Sequence, residues 1–159
     1  MGIRCLGPAR RYLSRITTIF ATKMATTANG SNGHQAKNIL TISASKSLHG
    51  TTIASTIESN WSQLPSMTSS QFNNVGFDFS LEDLPRTLES LKRTLNEQQW
   101  DAVILGWCLR GNVERTKVFE QAVGVVIEAA RKQEDMKVLF SKGPRDLAGT
   151  VLRGFAVGG

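Results

Sequence analysis

Two loops of the sequence carry the side chains best suited to hold an anion. The first follows the apolar segment 38–43, and its candidate ligand-binding residues are Ser43, Ser45, Lys46, Ser47, Gly50 and Thr51. The second closes the apolar segment 101–107, and its candidates are Gly106, Trp107, Arg110 and Asn112. Hydroxyl groups, backbone N–H groups and helix N-termini hold phosphate, and an arginine pairs bidentately with phosphate or carboxylate. Ser141, at the end of a later apolar segment, completes the candidate set.

Each of these candidates also has a purely structural interpretation. The first loop can be an ordinary polar loop, and Arg110 can belong to a structural salt bridge. Trp107 can stack on a ligand ring, but because it extends an apolar segment the sequence favours a core indole. Neither loop has the glycine spacing of a Walker A or dinucleotide-binding motif.

Cys108 is the one residue that suggests a catalytic nucleophile. A tyrosine-phosphatase loop needs five residues between its cysteine and arginine, whereas six separate Cys108 from Arg115. Glu114 lies in the same loop and would repel a phosphate. No His-Asp partner set for a Ser or Cys nucleophile is visible, so the sequence assigns no catalytic residue.

Metal binding and disulfide formation are not expected. The chain has two cysteines and two histidines, which are Cys5, Cys108, His34 and His49. They are too few and too far apart for a zinc site, and Cys5 lies in the N-terminal leader. The residues indicate no particular cofactor.

Hydrophobic spacing predicts alternating strands and helices. The predicted strands are 38–43, 75–79, 101–107 and 137–141, and the predicted helices are 53–64, 83–95, 112–133 and 144–154. We predict loops at 43–50 and 65–73. Alternation implies a small three-layer flavodoxin-like α/β domain with a four-stranded, mainly parallel sheet of order 2-1-3-4. Ligands bind such sheets where the first and third strands end, which would bring the two loops together.

Two finer expectations concern packing. Gly124 interrupts an apolar helix face, which predicts close approach of a neighbouring element at that point. The fourth strand lies at the sheet edge and the final helix is short, so that side is weakly covered. Homodimerisation there is a hypothesis.

The net charge of +6 lies in the N-terminal part of the chain. Seven of the 19 basic residues precede Glu58, the first acidic residue, and the remaining 12 face 13 acidic residues. The domain is therefore close to neutral, and a nucleic-acid partner is not expected.

The N-terminal segment has the composition of a targeting sequence. Residues 1–23 form a mitochondrial-type targeting leader, because they are rich in Arg, Ser and Thr, contain no acid and place apolar residues on one helical face. A flexible linker (24–36), the α/β domain (37–153) and a tail (154–159) follow. Translation from the first methionine predicts the mitochondrial matrix, and translation from Met24 predicts the cytoplasm. No apolar run reaches the length of a membrane span.

The sequence also resembles a group of small fungal and bacterial α/β proteins. The stretches that carry the resemblance are 100–111, 118–120 and 137–146. The group's pattern has Trp-Asp before an apolar strand ending in Gly-x-Gly-x-Arg, a Phe-Glu helix start, and a strand ending in Asn-Thr-x-Pro-x-Asp. This chain departs from it at Cys108, in place of the second glycine, and at residues 141–142, which are Ser-Lys. The resemblance covers roughly residues 75–150 and implies a flavodoxin-like or Rossmann-like fold with no established activity.

The sequence therefore predicts a binding module for a phosphate- or carboxylate-bearing small ligand. The site would lie between the loops that follow the first and third strands. The alternative is a protein-interaction or assembly subunit without catalytic activity, and the residues leave open whether the chain is an enzyme.

Overall fold

Four short strands form the sheet, and all of them are parallel. In the computed structural model, which describes residues 35–155, the strands are β1 (Lys37–Ser43), β2 (Phe72–Asp78), β3 (Ala102–Leu105) and β4 (Lys137–Phe140). Their spatial order is β2-β1-β3-β4. The predicted flavodoxin-like order 2-1-3-4 is thereby confirmed.

Helices cover both faces of this sheet. They are α1 (Ser45–His49), α2 (Ile53–Trp61), α3 (Ser66–Ser69), α4 (Leu84–Glu97), α5 (Trp107–Arg110), α6 (Thr116–Ala130) and α7 (Leu147–Phe155), with a 3₁₀ turn at Val113–Arg115. Two long helices, α4 and α6, pack on one face together with α5. On the other face, α2 and α7 pack against the strands. The result is the predicted three-layer arrangement.

The strands β1 and β3 lie inside the sheet and are buried on both faces. Leu40 and Val103 belong to the core under α4 and α6, whereas Ile39 and Ile104 belong to the core under α2 and α7. Side chains alternate between faces along a strand, so both faces of these strands need apolar residues. This requirement explains why the two segments are continuous apolar runs in the sequence.

Several predicted element boundaries are wrong. The predicted loop 43–50 contains α1, and the predicted loop 65–73 contains α3 and the start of β2. The third strand ends at Leu105, two residues earlier than predicted, because the chain turns into α5 at Trp107. The Gly106 amide still donates to the Ile42 carbonyl at 2.8 Å. A Cβ at Gly106 would lie 2.8 Å from that same oxygen, so the turn requires glycine.

The region of α6 also departs from expectation. Asn112 acts as a cap, accepting from the Glu114 amide at 2.8 Å, but it caps the 3₁₀ turn that precedes α6. The helix ends at Ala130, three residues earlier than predicted. Beyond it, the buried side-chain amide of Gln133 accepts from the Trp100 backbone N–H and donates to the Leu95 carbonyl of α4. The predicted close packing at Gly124 is wrong, since a Cβ there would meet no atom within 4 Å.

The segments outside the domain are largely outside the described residues. This holds for the predicted targeting leader (1–23), for the predicted linker (24–36) up to residue 34, and for the predicted tail (154–159) from residue 156. Residues 35–36 have no regular secondary structure, and α7 continues to Phe155. Within residues 35–155, every helix is too short or too polar to cross a membrane.

Candidate functional site

A small cavity lies where β1 and β3 end side by side. Its volume is about 30 Å³. The lining residues are Ser43, Ser45, Ile53, Thr56, Gly106, Trp107, Cys108, Ser141, Pro144 and Leu147. Five of the predicted site residues are therefore brought together here, namely Ser43, Ser45, Gly106, Trp107 and Ser141. The space holds one or two water molecules, whereas pockets for drug-sized ligands measure about 300–1,000 Å³.

The hydroxyl groups that follow β1 are largely engaged within the protein. Ser43 Oγ accepts from the Ser45 amide at 3.2 Å. Ser47 Oγ donates to the Phe79 carbonyl at 3.3 Å and accepts from the Leu81 amide at 3.4 Å. Ser45 Oγ is buried with no partner among the described residues. These short side chains therefore shape the turn into α1.

The other predicted residues of this first loop lie away from the cavity. Lys46 and Thr51 are exposed and do not line the cavity. Gly50 ends α1 in the left-handed conformation, with φ of 72°, which is the role glycine commonly takes at a helix end.

The N-terminus of α2, the predicted phosphate position, already holds a carboxylate. Asp78 Oδ1 accepts from the Ile53 amide at 2.9 Å, and the Thr52 side chain accepts from the Ser55 amide at 3.4 Å. Free N–H groups and a positive dipole end are what attract an anion to a helix start. Here Asp78 supplies the negative charge from β2, so an added phosphate would be repelled.

Trp107 does not lie in the core, contrary to the sequence-based preference. Its residue surface is 43% exposed because β3 ends two residues earlier and Trp107 begins α5. Its backbone N–H donates to the buried Ser141 Oγ at 3.1 Å, which ties α5 to the end of β4. The indole lies against Gly111, where a Cβ would be 2.5 Å from ring atom Cε2. Glycine at 111 therefore lets the ring lie over the end of α5.

Within residues 35–155, Arg110 is held in place without a carboxylate partner. Its guanidinium carbon lies 5.2 Å from the centroid of the Trp107 ring, and Nη2 donates to the Ser141 carbonyl at 2.9 Å. All Asp and Glu residues of the chain lie within 35–155. In that part of the chain, ion pairs join only Lys37 to Asp101 and Arg153 to Asp146. The structural salt bridge considered for Arg110 is therefore not formed.

Beside Arg110 lies an open groove of about 440 Å³. Its lining residues are Arg110, Thr116, Phe119 and Phe140. The two phenylalanine rings are tilted against each other with centroids 6.2 Å apart, and Phe140 is 43% exposed. Sequence reasoning placed Phe119 in an apolar helix face and Phe140 in a strand, so it missed both as site residues. The spacing of apolar residues does not indicate that the two phenylalanine rings reach the surface.

The groove lies on the positively charged side of this sheet edge. The segments 44–52, 106–116 and 141–146, which follow β1, β3 and β4, each contain one more Lys or Arg than Asp or Glu. The segment after β2 instead contains Glu82 and Asp83 with no basic residue before α4. An anion approaching these strand ends is therefore drawn away from β2 and toward the other three strands.

Asp146 organises the loop after β4. Its carboxylate accepts from both terminal nitrogens of Arg153, at 2.9 and 2.8 Å, and from the Lys142 backbone N–H at 2.9 Å. The hydrogen bonds from Arg153 lower the pKa of Asp146 strongly, and the same pair raises the pKa of Arg153. This fork fixes the chain next to Ser141, whose hydroxyl and carbonyl hold Trp107 and Arg110.

The surroundings of Cys108 do not resemble a nucleophile site. The thiol is half-buried, and the Arg115 guanidinium donates to the Cys108 backbone carbonyl. Arg115 therefore stabilises the loop backbone at this point. Within residues 35–155, no three His, Cys, Asp or Glu side chains are grouped so as to hold a metal ion.

Comparison with known proteins adds no relative. No protein-family model, no curated protein and no solved structure matches the chain. The resemblance to small fungal and bacterial α/β proteins thus stays a prediction from residues 75–150. What the groove can bind follows from its side chains.

Proposed function

We propose that the chain is a small binding module for a ligand with a carboxylate or phosphate head and an apolar body. Arg110 binds the anionic head, and Phe119 and Phe140 contact the apolar body. This is the class of function predicted from the sequence. Arg110 is one of the predicted ligand-binding residues, but the proposed site is the groove beside β3 and β4 and not the cavity between β1 and β3.

The observation that carries the proposal is the uncompensated charge of Arg110. A guanidinium has five N–H donors in a planar fork, and the described structure engages this one through Nη2 with the Ser141 carbonyl. Stacking on Trp107 restricts the side chain before any ligand arrives. A restricted arginine loses little entropy on binding, and a bidentate pair with a carboxylate or phosphate adds geometric specificity.

Groove size and chemistry set the class of ligand. A volume of about 440 Å³ lies within the usual range for small-molecule sites. The two aromatic walls give apolar area, and the Thr116 hydroxyl, which donates to the Val113 carbonyl at 2.6 Å, keeps only acceptor capacity. The cavity at β1 and β3 lacks this room, and the hydroxyls of Ser43 and Ser47 are engaged internally.

A thermal-shift screen of the full chain tests this proposal. The panel contains inorganic phosphate, nucleotides, flavins, sugar phosphates and aromatic carboxylates, and calorimetry then measures the Kd of each hit. We expect a hit whose Kd rises at least about tenfold in Arg110→Ala, since a charge-assisted pair contributes about 1.5–3 kcal/mol. Arg110→Lys should recover part of the affinity, because lysine keeps the charge but not the fork.

A matched control separates this effect from loss of overall charge. Arg93 is an exposed arginine on α4 and lines none of the cavities described above, so Arg93→Ala should leave the Kd unchanged. A panel without any hit, or a ligand that binds Arg110→Ala as tightly as the wild type, would contradict the proposal.

A second candidate function is protein interaction, and exposed apolar residues favour it. Val113 is 86% exposed and Trp107 is 43% exposed, on either side of Arg110. Tryptophan and arginine are the residues most enriched among interface hot spots. Val113 does not line the groove, so Val113→Asp discriminates the two functions. If Val113→Asp no longer bound a partner protein purified with the wild type, but bound the small ligand unchanged, the result would favour an interaction subunit.

We also propose that residues 1–23 direct the module to the mitochondrial matrix. The acid-free, arginine-rich composition supports this. A fusion of residues 1–40 to a fluorescent protein should label mitochondria, whereas a diffuse cytosolic signal would contradict the assignment.

A further inference from the structure

Among residues 35–155, the backbone groups on the outer edge of β4 have no strand partner. On the side facing β3, the Lys137 amide donates to the carbonyl of Asp101, the residue before β3, at 3.0 Å, and the Ser141 amide donates to the Leu105 carbonyl at 3.2 Å. Successive residues of a strand point their N–H and C=O groups to opposite sides. The N–H and C=O groups of Val138 and Phe140 therefore point away from β3. Such an edge is a template for another strand.

Opposite charges flank this edge. The segment immediately before β4 contains Glu134 and Asp135, and the segment after it contains Lys142 and Arg145. All four residues are exposed, and none of their side chains forms an ion pair within residues 35–155. The edge is thus acidic at its start and basic at its end.

We propose that this edge pairs with the β4 edge of a second copy of the chain, in antiparallel orientation. A two-fold axis makes such pairing self-complementary. Setting Val138 of each copy opposite Phe140 of the other satisfies all four outward N–H and C=O groups of each edge. The two sheets then join into one sheet of eight strands.

Charge complementarity selects a second copy in this orientation. Antiparallel pairing brings Glu134 and Asp135 of each copy toward Lys142 and Arg145 of the other. Parallel pairing would place like charges next to each other, which costs free energy. The same arrangement occurs twice in the dimer, so each complementary pair counts twice.

The inference does not depend on the proposed ligand. The Phe140 ring lies on the α6 side of the sheet, against Phe119, whereas the pairing uses the backbone at the edge. Dimerisation is measured without ligand, so failure of either proposal leaves the other testable.

The experiment uses sedimentation of the full chain and two charge variants. The acidic variant is Lys142→Glu/Arg145→Glu. The basic variant is Glu134→Lys/Asp135→Asn, with Asn because Asp135 has a φ of 64°, which Asn tolerates. We expect the wild type to be a dimer at micromolar concentration, with a Kd that rises with salt. Each variant alone should raise the Kd at least about tenfold.

Mixing the two variants provides the decisive control. In the mixture, the acidic variant has acidic residues at both ends of its β4 edge, and the basic variant has basic residues at both ends. The two variants should therefore form a heterodimer more tightly than either forms a homodimer. A wild type that stays monomeric at low salt, or a dimer that both variants leave intact, would overturn the proposal.

Amide hydrogen exchange reports on the edge directly. The Val138 and Phe140 amides should exchange slowly in the dimer and quickly in the acidic variant. The Leu139 amide faces β3 and should stay protected in both, which controls for unfolding of β4. Equal exchange at Val138 and Phe140 in the wild type and the acidic variant would also contradict the pairing.

Discussion

The segments that follow β1 and β3 leave the same edge of the sheet side by side but use their polar groups differently. After β1, the hydroxyls of Ser43 and Ser47 bond to nearby backbone, and Asp78 occupies the start of α2. After β3, Trp107 and Arg110 are exposed, and the arginine has no carboxylate partner in the described part of the chain. The segment whose composition resembles a phosphate loop is thus the one with less capacity left for a ligand.

Side-chain length explains the contrast. Ser and Thr hydroxyls lie close to their own backbone and readily form hydrogen bonds to nearby backbone groups in turns and caps. An arginine extends well beyond its own backbone, so one hydrogen bond to the Ser141 carbonyl positions it while other donors stay free. Hydrogen bonds within the local structure therefore saturate a hydroxyl more easily than they saturate a guanidinium.

The largest effect is predicted at Gly106, where the end of β3 contacts the end of β1. Gly106→Ala places a Cβ 2.8 Å from the Ile42 carbonyl oxygen, a backbone atom that cannot rotate away. We expect it to lower the free energy of unfolding by about 2 kcal/mol, as overpacking does. Urea denaturation measures this loss.

A second glycine provides the control for Gly106→Ala. Gly124 lies in α6 with no neighbour within 4 Å of an added Cβ. Gly124→Ala should therefore raise the free energy of unfolding by about 1 kcal/mol through helix propensity. If both variants changed stability in the same direction, close approach at Gly106 would not be the cause.

Removing the carboxylate at α2 tests why the segment after β1 leaves no room for an anion. Asp78→Ala frees the Ile53 amide and should lower the free energy of unfolding by about 1 kcal/mol, as loss of a helix cap does. Sulfate or phosphate should then stabilise the variant more than it stabilises the wild type, because the helix start is open. Chemical denaturation with and without the anion checks both effects, and equal anion effects would show that Asp78 is not the obstacle.

The pair of Asp146 and Arg153 should make stability depend on acid pH. The lowered pKa of Asp146 means that its contribution is present above the ordinary carboxyl pKa, about 4. That contribution is lost as the pH falls below this value toward the folded-state pKa. Since the Arg153 side chain is 47% exposed, solvent screening limits the contribution to about 1 kcal/mol.

Comparing the free energy of unfolding of the wild type with that of Asp146→Asn isolates the contribution of the ion pair. The variant should be less stable than the wild type at neutral pH, and the difference should shrink as the pH falls below about 4. A difference that stayed constant down to strongly acid pH would exclude the ion pair as its source.

The strand order was predictable because it depends on long, regular patterns. The apolar runs of β1 and β3 indicate strands buried on both faces, and helices between strands imply parallel pairing. The errors lie in short elements. Helices as brief as α1 and α3 have no clear periodicity, and β3 ends where another short helix, α5, begins.

The candidate site was predictable only at Arg110 and Ser141. Their positions after β3 and β4 place them at one sheet edge, and the structure joins them by a hydrogen bond. Phe119 and Phe140 lie in apolar patterns that look the same whether a ring is buried or half-exposed. Trp107 is among the predicted candidates, but the sequence favours a core position for it because the predicted third strand is two residues longer than β3.

The smallest stability effect, and the one that separates the two segments most sharply, is expected at Arg110. Arg153 forms an ion pair, so Arg153→Ala should lower the free energy of unfolding by about 1 kcal/mol. Arg110 contributes an exposed cation–π contact and one hydrogen bond, so Arg110→Ala should cost about 0.5 kcal/mol or less. Parallel urea titrations compare the two variants. A loss at Arg110 as large as that at Arg153 would mean that folding already uses this guanidinium, and that the segment after β3 is as internally satisfied as the segment after β1.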